Sequence, residues 1–525
     1  MVGLARRSSW SWVVVVLAGC AGRRAHEVPP AIPPAAPVTP LDLSAADDDD
    51  VDADFDASPP GPKPTKECKA VPWTPPARLD TTQLERAIEI GLAVSGTPSL
   101  AIGAAANGEV LWAEGFGWAD LARRRKATAD TPYSMASVSK PMTATALMVL
   151  RQRGLVDLDR PINDYLPEPG VRTGVGNVDD ATVARVASHT AGLPLHYQFF
   201  YLDQPTRPPT KDVTRQRYGV LVAAPGETYQ YSNLGFGILE DAIAHVSGKT
   251  YAEFMQSEVF GPLQMTGSSV GTPPAKAKAA VRYDGARRPI PDYLFDHDGA
   301  SAIYASVHDL LKFGSLHAGV VWPGTTEIVD AAGRARMRQV PAPSENYGVG
   351  IGVTNRDGRL RVSHSGGMPG VATALYAYPD DGLVLAVAAN SSSLGGGHHR
   401  LAGALLDVLE FPYQAAALCS LPADDPWFGH WEGTVETDEG TQAIALDVRP
   451  DGQVALAIGE GATPWIVRQI RLDGDVLGGE VGLVAGPATI GLRLHKDGAM
   501  LRGAISTITP EVSAVTRFAT LTRGD

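Results

Sequence analysis

The sequence has 525 residues, of which 44% are hydrophobic and 20% charged, so it has ordinary globular composition and room for more than one domain. Its formal net charge of −13 argues against a nucleic-acid-binding protein, because such proteins present a basic surface. A short basic cluster at residues 123–126 adjoins a turn, and we interpret it as a solvated loop.

Residues 1–20 have the pattern of an export signal. Two arginines precede an apolar segment that is too short to span a bilayer as a stable helix. The segment ends in Leu-Ala-Gly-Cys20, which resembles the lipobox of bacterial lipoproteins, whose cysteine becomes the lipidated first residue. An ordinary secretory peptide cleaved after Ala18 or Ala21 is the alternative. Both interpretations predict an exported chain, and the first predicts a lipid anchor at Cys20 on the periplasmic face of a bacterial membrane.

Residues 21–78 are predicted to be a disordered linker. Proline recurs along both of its ends, and an acidic run occupies residues 47–56. Such a segment cannot bury enough apolar surface to fold, and proline and like charges extend it. We interpret it as a tether, with an acidic partner-binding tail as the alternative.

Two cysteines, Cys68 and Cys419, remain if Cys20 carries lipid. An exported compartment permits a disulfide between them, so we predict that they pair. Two unpaired thiols are the alternative.

Residues 79–415 are predicted to form a domain of mixed α/β (α+β) class. Apolar residues at helical spacing follow Leu79. Two hairpins are expected, at residues 99–116 around Asn-Gly and at residues 371–389 around Asp-Asp-Gly. With a final helix at 399–409 and a helical middle, this order predicts an antiparallel sheet with a helical subdomain.

Residues 422–525 differ in composition from the preceding domain. Short alternating segments are separated by Asp-Gly at 451–452, 473–474 and 497–498. This spacing is typical of a meander of hairpins, so we predict a small antiparallel β-barrel.

A candidate nucleophile lies in the tetrad Ser137-Val-Ser-Lys140, which opens an apolar, helical run. Pro141 fits only in the first turn of that helix, which places Ser137 at or near its N-terminus, where a developing negative charge is favoured. Lys140 lies on the same face, and a buried lysine can act as the base that a serine hydroxyl requires. A surface lysine after an N-cap serine is the alternative for the tetrad taken alone.

A second element is Tyr231-Ser-Asn233, which follows Pro225-Gly-Glu227. Tyr-x-Asn on a turn projects a phenol and an amide to the same side. The phenolate can act as a base, and the amide can hold both the lysine and a substrate carbonyl. A hydrogen-bonded core tyrosine is the alternative.

A third element, His364-Ser-Gly366-Gly367, directly precedes the second hairpin. Its glycines let a substrate backbone approach a strand edge, and the N–H of Gly367 could serve as an oxyanion donor beside that of Ser137. His364 would act as an electrostatic or hydrogen-bonding group. A histidine in a glycine-rich turn is the alternative.

In this order, S-x-x-K, Y-x-N and a basic-x-Gly element before a terminal hairpin resemble the serine β-lactamase and penicillin-binding-protein superfamily. The class C-like branch, with its D-alanyl-D-alanine carboxypeptidases, esterases and D-aminopeptidases, is the most similar. The resemblance covers roughly residues 80–412. It extends to three further segments, at 186–194, 225–227 and 301–311. The region beyond residue 427 is similar to lipocalin-like domains attached to some members.

The resemblance implies a β-lactamase-like serine hydrolase that works through an acyl-enzyme without a cofactor or metal. Ser137 would be the nucleophile, Lys140 and Tyr231 would share the proton transfers, and Asn233 would position Lys140 and the substrate. The oxyanion would rest on the N–H groups of Ser137 and Gly367, within the Gly366-Gly367 strand. A catalytically degenerate envelope-binding or scaffold protein is the alternative function.

One departure concerns the substrate. Many relatives carry Lys-Thr-Gly where this chain has His364-Ser-Gly366, and histidine is mostly neutral near pH 7. Peptide, ester and β-lactam carbonyls therefore stay open as small-molecule or peptide substrates. We expect no nucleic-acid partner and membrane association only through the lipid anchor; the sequence predicts no oligomeric state. His398-His399 suggests a flexible loop rather than a metal site, and Ser188 and His189 are expected to be structural.

Overall fold

The computed structural model describes residues 71–273, 278–356, 359–437, 440–462, 464–482, 489–508 and 514–524. The predicted export signal, most of the predicted linker, Cys20 and Cys68 lie outside these residues. All described residues belong to one compact unit. No helix in these ranges combines the length and the apolar character that a membrane span requires.

The strands of the described residues are, in chain order, β1 (Ser99–Ala106), β2 (Glu109–Asp120), β3 (Arg125–Lys126), β4 (Tyr133–Ser134), β5 (Phe200–Tyr201), β6 (Ser269–Val270), β7 (Tyr293–Leu294), β8 (Ile303–Ala305), β9 (Gly352–Arg356), β10 (Arg359–Met368), β11 (Val371–Tyr378), β12 (Leu383–Ala389), β13 (Gly429–Thr437), β14 (Gly440–Val448), β15 (Val454–Ile458), β16 (Trp465–Ile466), β17 (Arg468–Asp473), β18 (Val476–Gly482), β19 (Thr489–Asp497), β20 (Met500–Ile508) and β21 (Ala514–Arg523).

The α-helices are α1 (Thr82–Ser95), α2 (Ser139–Gln152), α3 (Val183–Ala187), α4 (Lys211–Tyr218), α5 (Asn233–Ser247), α6 (Tyr251–Phe254), α7 (Asp298–Ser301), α8 (Val307–His317), α9 (Ala331–Met337), α10 (Gly397–Val408) and α11 (Ala416–Cys419). A single turn of 3-10 helix, Ala136–Val138, leads directly into α2.

The main sheet has seven antiparallel strands in the order β3-β2-β1-β12-β11-β10-β9. Both predicted hairpins are present, as β1–β2 and β11–β12. The pairing of β1 with β12, which places Leu100 opposite Ala389, joins the two ends of this domain. The predicted mixed α/β fold with an antiparallel sheet is therefore confirmed.

The turn of the first hairpin has the backbone conformation for which Asn-Gly is the preferred sequence. Asn107 and Gly108 both have positive φ angles, 52° and 83°. Only Gly and, to a lesser extent, Asn adopt this backbone readily, and two such residues give a turn whose twist matches the flanking strands.

Both faces of the main sheet are covered by helices. Helices α2 and α8 belong to the apolar cluster on one face, and α1 and α10 pack on the other. Alternate residues of β1 and β12 point into each cluster, so these strands are buried on both sides. Each fully buried Leu, Ile or Val here contributes roughly 1.5–3 kcal/mol of transfer free energy.

Helix α2 is buried all round and not only on the side that faces the main sheet. Every residue from Ser139 to Leu150 is buried, and Pro141 occupies the first turn as predicted. Its two polar threonines are accommodated because Thr143 and Thr145 donate to the carbonyls of Ser139 and Pro141, at 3.2 and 2.8 Å. The predicted catalytic pair, Ser137 and Lys140, can therefore be presented by a helix that is otherwise packed in the core.

The C-terminal region forms a nine-stranded antiparallel sheet in the order β16-β15-β14-β13-β21-β20-β19-β18-β17. Its two end strands are consecutive in the chain, which requires the sheet to curl. Trp431 is buried in its core. Gly452, Gly474 and Gly498 all have positive φ angles at the predicted Asp-Gly turns. The predicted meander of hairpins is confirmed, in the form of a curled sheet.

The curled sheet contacts the preceding region through helix α10. Arg468 forms an ion pair with Asp407 and donates to the carbonyl oxygen of Gly403. Cys419, in α11, is disulfide-bonded, and both other cysteines of the chain lie outside the described residues. Its pairing with Cys68, and the predicted domain limits, stay predictions.

Candidate active site

The site begins at the turn that precedes α2. Ala136 has a φ angle of 46°, in the left-handed region that costs a non-glycine residue about 1–2 kcal/mol. Backbone strain of this kind is concentrated at functional sites, where the surrounding structure over-determines it. Ser137 follows within the 3-10 turn and is 7% exposed. The predicted nucleophile thus lies at the N-terminal end of a buried helix.

Lys140 is fully buried and makes three hydrogen bonds through Nζ. It donates to Ser137 Oγ at 2.9 Å, to Asn233 Oδ1 at 2.7 Å and to the carbonyl oxygen of Ala300 at 3.2 Å. A buried ammonium is tolerated only when its protons are matched by acceptors, and these three acceptors fill that requirement. With the amine neutral, the same 2.9 Å contact would allow Lys140 to take the proton of Ser137.

Asn233 is fixed by the start of helix α5. The side chain of Ser232 caps the helix by accepting from the N–H of Gly235 at 2.9 Å. The N–H of Asn233 donates to the carbonyl oxygen of Leu195 at 2.9 Å. The amide of Asn233 therefore meets Lys140 from a buried, capped helix end rather than from a free loop.

Tyr231 is half-buried, with its ring beside the lysine. Lys140 Nζ lies 4.7 Å from the centroid of the Tyr231 ring. The ring also contacts that of His189, with centroids 4.3 Å apart and an angle of 37° between the planes. The structure thus brings Ser137, Lys140, Tyr231 and Asn233 together, as their order in the sequence predicted.

His189, which we expected to be structural, supports the Tyr231 turn. Its Nδ1 accepts from the N–H of Ser232 at 3.0 Å, and its ring is buried. Burial, with added repulsion from Lys140 and His364, holds the pKa of His189 well below its usual value. A neutral His189 keeps the Nδ1 lone pair that the hydrogen bond from Ser232 needs.

His364 is buried on β10 and uses both ring nitrogens. Nδ1 donates to the carbonyl oxygen of Ser365 at 2.6 Å, so Nε2 accepts from the hydroxyl of Tyr347 at 2.9 Å. Burial, and then the charge of Lys140, lower the pKa of His364 to about 3. The third element therefore carries a neutral imidazole at pH 7.

The two glycines that follow differ in their surroundings. A Cβ atom on Gly366 would lie 2.5 Å from the carbonyl oxygen of Met135 and 3.0 Å from the backbone nitrogen of Ser137. A Cβ atom on Gly367 would meet nothing within 4 Å. Glycine at position 366 therefore lets β10 lie directly against the turn that carries Ser137, while Gly367 borders open space.

Two contributors were not predicted from the sequence. The carbonyl of Ala300 is the third acceptor for Lys140, and it is held by its helix α7. There the N–H of Gly299 donates to Glu240, which also forms an ion pair with Lys211 at 2.5 Å. Burial raises the pKa of Glu240 to about 8, although Lys211 opposes the shift. A backbone acceptor carries no sequence signal, and Tyr347, the partner of His364, belongs to no motif.

The remaining predicted positions lie elsewhere. Cys20 is outside the described residues. His398 and His399, which we expected in a flexible loop, lie instead in the first turn of α10, so that prediction was wrong. Their rings stack with centroids 3.9 Å apart, and the Nδ1 of His398 donates to the carbonyl oxygen of Gly395 at 2.9 Å. That contact anchors the ring to the helix end.

The region that contains the active-site residues is similar in sequence to a known protein family. The sequence profile of the Beta-lactamase family matches residues 84–410, more than half of the chain. The chain belongs to the β-lactamase family. This membership, together with the hydrolases among its relatives, makes it a serine hydrolase.

Two curated relatives are similar in sequence. A penicillin-binding protein of Bacillus subtilis is 24% identical over 372 residues, which cover 65% of this chain and 80% of that protein. The D-alanyl-D-alanine-carboxypeptidase/endopeptidase AmpH of Escherichia coli is 30% identical over 188 residues, which cover 35% of this chain and 48% of AmpH.

A solved structure is similar to a larger part of the chain than the family profile covers. The octameric penicillin-binding protein homologue from Pyrococcus abyssi matches 84% of this chain and 100% of its own, with a TM-score of 0.54 and 22% sequence identity. At this identity the likeness concerns the fold. The β-lactamase fold of the present chain is thereby confirmed, while the roles of its individual site residues stay predictions.

The contrast between the two glycines of β10 gives a matched pair of variants. We expect Gly366→Ala to lower the free energy of unfolding by about 1–3 kcal/mol, because its methyl group would press on the turn that carries Ser137. Gly367→Ala should leave the melting temperature near that of the wild type. Thermal unfolding followed by circular dichroism measures both. Equal melting temperatures for the two variants would contradict the close approach of β10 to Ser137.

Proposed function

We propose that this β-lactamase-family protein hydrolyses neutral ester or small amide carbonyls through an acyl-enzyme on Ser137. The observation that carries this proposal is the 2.9 Å contact between Ser137 Oγ and a fully buried Lys140 Nζ, held in place by Asn233. A serine hydroxyl needs a positioned base to become a nucleophile, and this contact supplies one.

The reaction would proceed in two halves. Ser137 Oγ attacks the carbonyl carbon as its proton passes to Lys140 or Tyr231, and the oxyanion is held by the N–H groups of Ser137 and Gly367. Collapse of this intermediate breaks the bond to the leaving group, which takes the proton. Water then attacks the acyl-enzyme carbonyl as one of its protons passes to the Lys140–Tyr231 pair. Collapse of this second intermediate breaks the bond to Ser137 Oγ, which takes that proton as the acid is released.

The charge of the third element favours neutral substrates. His364 is buried and neutral, and its Nε2 already accepts from Tyr347. A lysine at this position would offer a permanent positive charge to a substrate carboxylate, whereas neutral imidazole does not. We therefore assign substrates whose leaving side carries no free carboxylate.

The acyl side of the site supports esters with an apolar acyl group. Strand β9 pairs with β10 only as far as Ser363, and beyond it a peptide could pair with the strand edge. The hydroxyl of Tyr197, however, already donates to the carbonyl oxygen of Gly367 at 3.3 Å. Tyr197 and Phe199 are only partly buried where they pack on an apolar cluster that includes Met368, Tyr293 and Phe295, and they could offer an apolar surface to an acyl group.

The named relatives supply the strongest competing substrate class. AmpH is described as a carboxypeptidase and endopeptidase for D-alanyl-D-alanine, and another relative as a penicillin-binding protein. D-alanyl peptides end in a free carboxylate, which a cation at position 364 would favour. Neutral esters need no charge at that position. The substrate series below distinguishes them.

We further propose that the enzyme works in the cell envelope, tethered through lipid on Cys20. The lipobox-like sequence and the proline-rich, acidic sequence that follows it support this location. Such a tether would hold the hydrolase away from the membrane surface.

The nucleophile is tested by acylation. After reaction of the full-length chain with each of several fluorophosphonates, intact-mass spectrometry should show one adduct, and Ser137→Ala should show none. Lys140→Ala should slow acylation on the order of 10²–10⁴-fold, the contribution expected of a positioned base. Ser188→Ala, which removes another buried serine, is the matched control and should keep the adduct. An adduct that persists in Ser137→Ala, or its absence with every probe, would reject the assignment and favour the scaffold alternative.

The substrate class is tested by charge. We expect wild-type kcat/KM to be higher for a p-nitrophenyl acyl ester than for the matching acyl-D-alanyl-D-alanine peptide. His364→Lys should raise the peptide-to-ester ratio of kcat/KM, because it adds a cation for the carboxylate. His364→Gln is the control that loses the imidazole without gaining charge. A wild-type preference for the peptide would assign the protein to the carboxypeptidases instead.

The lipid anchor is tested by fractionation of cells that express the full chain. The wild type should sediment with membranes and release into detergent, and Cys20→Ser should appear in the soluble exported fraction at a higher apparent mass, with its signal retained or cut elsewhere. Cys68→Ser is the control for loss of a cysteine elsewhere in the chain and should leave the protein with the membranes. An unchanged membrane fraction for Cys20→Ser would refute lipidation at this residue.

A further inference from the structure

A second cluster of chemically active side chains lies outside the catalytic group. His196 Nε2 lies 2.9 Å from one oxygen of Asp296, and His297 Nδ1 lies 2.7 Å from the other. The three ligand-type atoms are all within 4.8 Å of one another. The side chains of Asp296 and His297 are fully buried, and that of His196 is 9% exposed. The reaction described above uses none of these residues.

The protein leaves this cluster incompletely satisfied. Within the described ranges, Asp296 forms ion-pair contacts only with the two imidazoles, and its other polar contact is Thr214 Oγ1 at 3.4 Å. The Nε2 of His297 is buried and has no hydrogen-bond partner in that part of the chain. Buried carboxylates in proteins are normally paired with cations or coordinate metals, and buried polar atoms without partners are rare.

We propose that His196, Asp296 and His297 form a binding site for a divalent transition-metal ion of the zinc class. Two imidazole nitrogens and one carboxylate oxygen are a donor set that Zn²⁺ and its neighbours in the series prefer, whereas Mg²⁺ and Ca²⁺ prefer oxygen ligands alone. Three protein ligands leave a fourth position for water, as in other three-ligand zinc sites.

The present spacing is close to what such an ion requires. Metal–ligand bonds of roughly 2.0–2.2 Å place tetrahedral donor atoms about 3.3–3.6 Å apart. The His–Asp contacts of 2.9 and 2.7 Å would therefore lengthen by about 0.5–0.8 Å, and the three ligand atoms, now within 4.8 Å of one another, would draw together around the ion. The ion would replace the two N–H···O hydrogen bonds. Both rings would change tautomer, so that each neutral ring carries its proton on the other nitrogen, Nδ1 in His196 and Nε2 in His297, and the negative charge of Asp296 would be neutralised.

The location of the cluster gives the ion a structural role. His196 directly follows Leu195, whose carbonyl oxygen accepts the N–H of Asn233 at 2.9 Å. Asp296 and His297 directly precede α7, whose Ala300 accepts from Lys140. His196 and Asp296 lie 100 residues apart in the chain. A metal would therefore hold together the two segments that position Asn233 and Lys140.

The test is metal binding by the full-length chain, purified in detergent with an affinity tag that contains no histidine. After chelator treatment, titration with ZnCl₂ and elemental analysis should show one tightly bound zinc per chain, and zinc should raise the melting temperature. CoCl₂ should give the visible absorption of four-coordinate cobalt, and MgCl₂ should bring neither effect. Asp296→Asn should weaken zinc affinity by more than the roughly 10–100-fold that loss of an outer-shell partner alone causes.

His196→Gln provides a second variant in case Asp296→Asn fails to fold, because His196 lies at the rim of the cluster. His308→Gln is the matched control: His308 pairs with Asp130 at 2.6 Å in an exposed His–Asp contact, and its loss should leave zinc binding unchanged. Substoichiometric zinc in the wild type, or equal affinity in wild type and His196→Gln, would overturn the proposal and leave a hydrogen-bonded His–Asp–His cluster.

Discussion

The burial of one lysine is the constraint on which the rest of the site depends. Lys140 lies in the interior, where an ammonium without acceptors would be strongly destabilising. Its three acceptors come from three separate parts of the chain, the 3-10 turn before α2, the first residue of α5 and the short helix α7. The helical region must therefore pack correctly before Lys140 can be accommodated, so folding and assembly of the site are the same event.

Each acceptor is in turn fixed by groups that take no part in the chemistry. Asn233 is positioned by its N-capped helix and by the carbonyl of Leu195, and Ala300 by the hydrogen bond from its neighbour Gly299 to the buried Glu240. The raised pKa of Glu240 shows the cost of placing a carboxylate there, which Lys211 offsets in part. A site that depends on hydrogen-bond distances within a few tenths of an ångström needs such support, because side chains left free would not hold it.

The third element, His364-Ser-Gly366-Gly367, lies close to Ser137 and carries no charge. Gly366 brings β10 against the nucleophile turn, and His364 lies next to it without charge because burial and Lys140 both disfavour its protonated form. A lysine at position 364 would add a second cation near Lys140, and each would disfavour the other. A neutral histidine removes that repulsion, but it gives up the permanent positive charge that would bind a substrate carboxylate. The proposed preference for neutral carbonyls follows from this exchange.

The sequence predicted what depends on local rules. The Asn107-Gly108 turn, the apolar spacing of α1, the Asp-Gly turns of the curled sheet and the S-x-x-K and Y-x-N elements all carry short-range signals, and the structure has them in the predicted places. It could not predict the carbonyl of Ala300, since every residue has one. Tyr347 and the His196–Asp296–His297 cluster were missed because their partners are distant in the chain and form no motif.

The curled C-terminal sheet is connected to the other side of the molecule. Its ion pair from Arg468 reaches Asp407 on α10, and α10 packs on the face of the main sheet opposite to the face that carries α2. Through these contacts the curled sheet adds buried surface behind β1 and β12, the strands on which both flanking clusters rest. The curled sheet is thus linked through α10 to the main sheet, whose strand β10 lies against the turn that carries Ser137. Because the described hydrogen bonds and ion pairs of the curled sheet with the preceding region involve α10 and the segment that follows it, we expect substrate specificity to depend on the loop around Tyr197 and on strand β10 with His364.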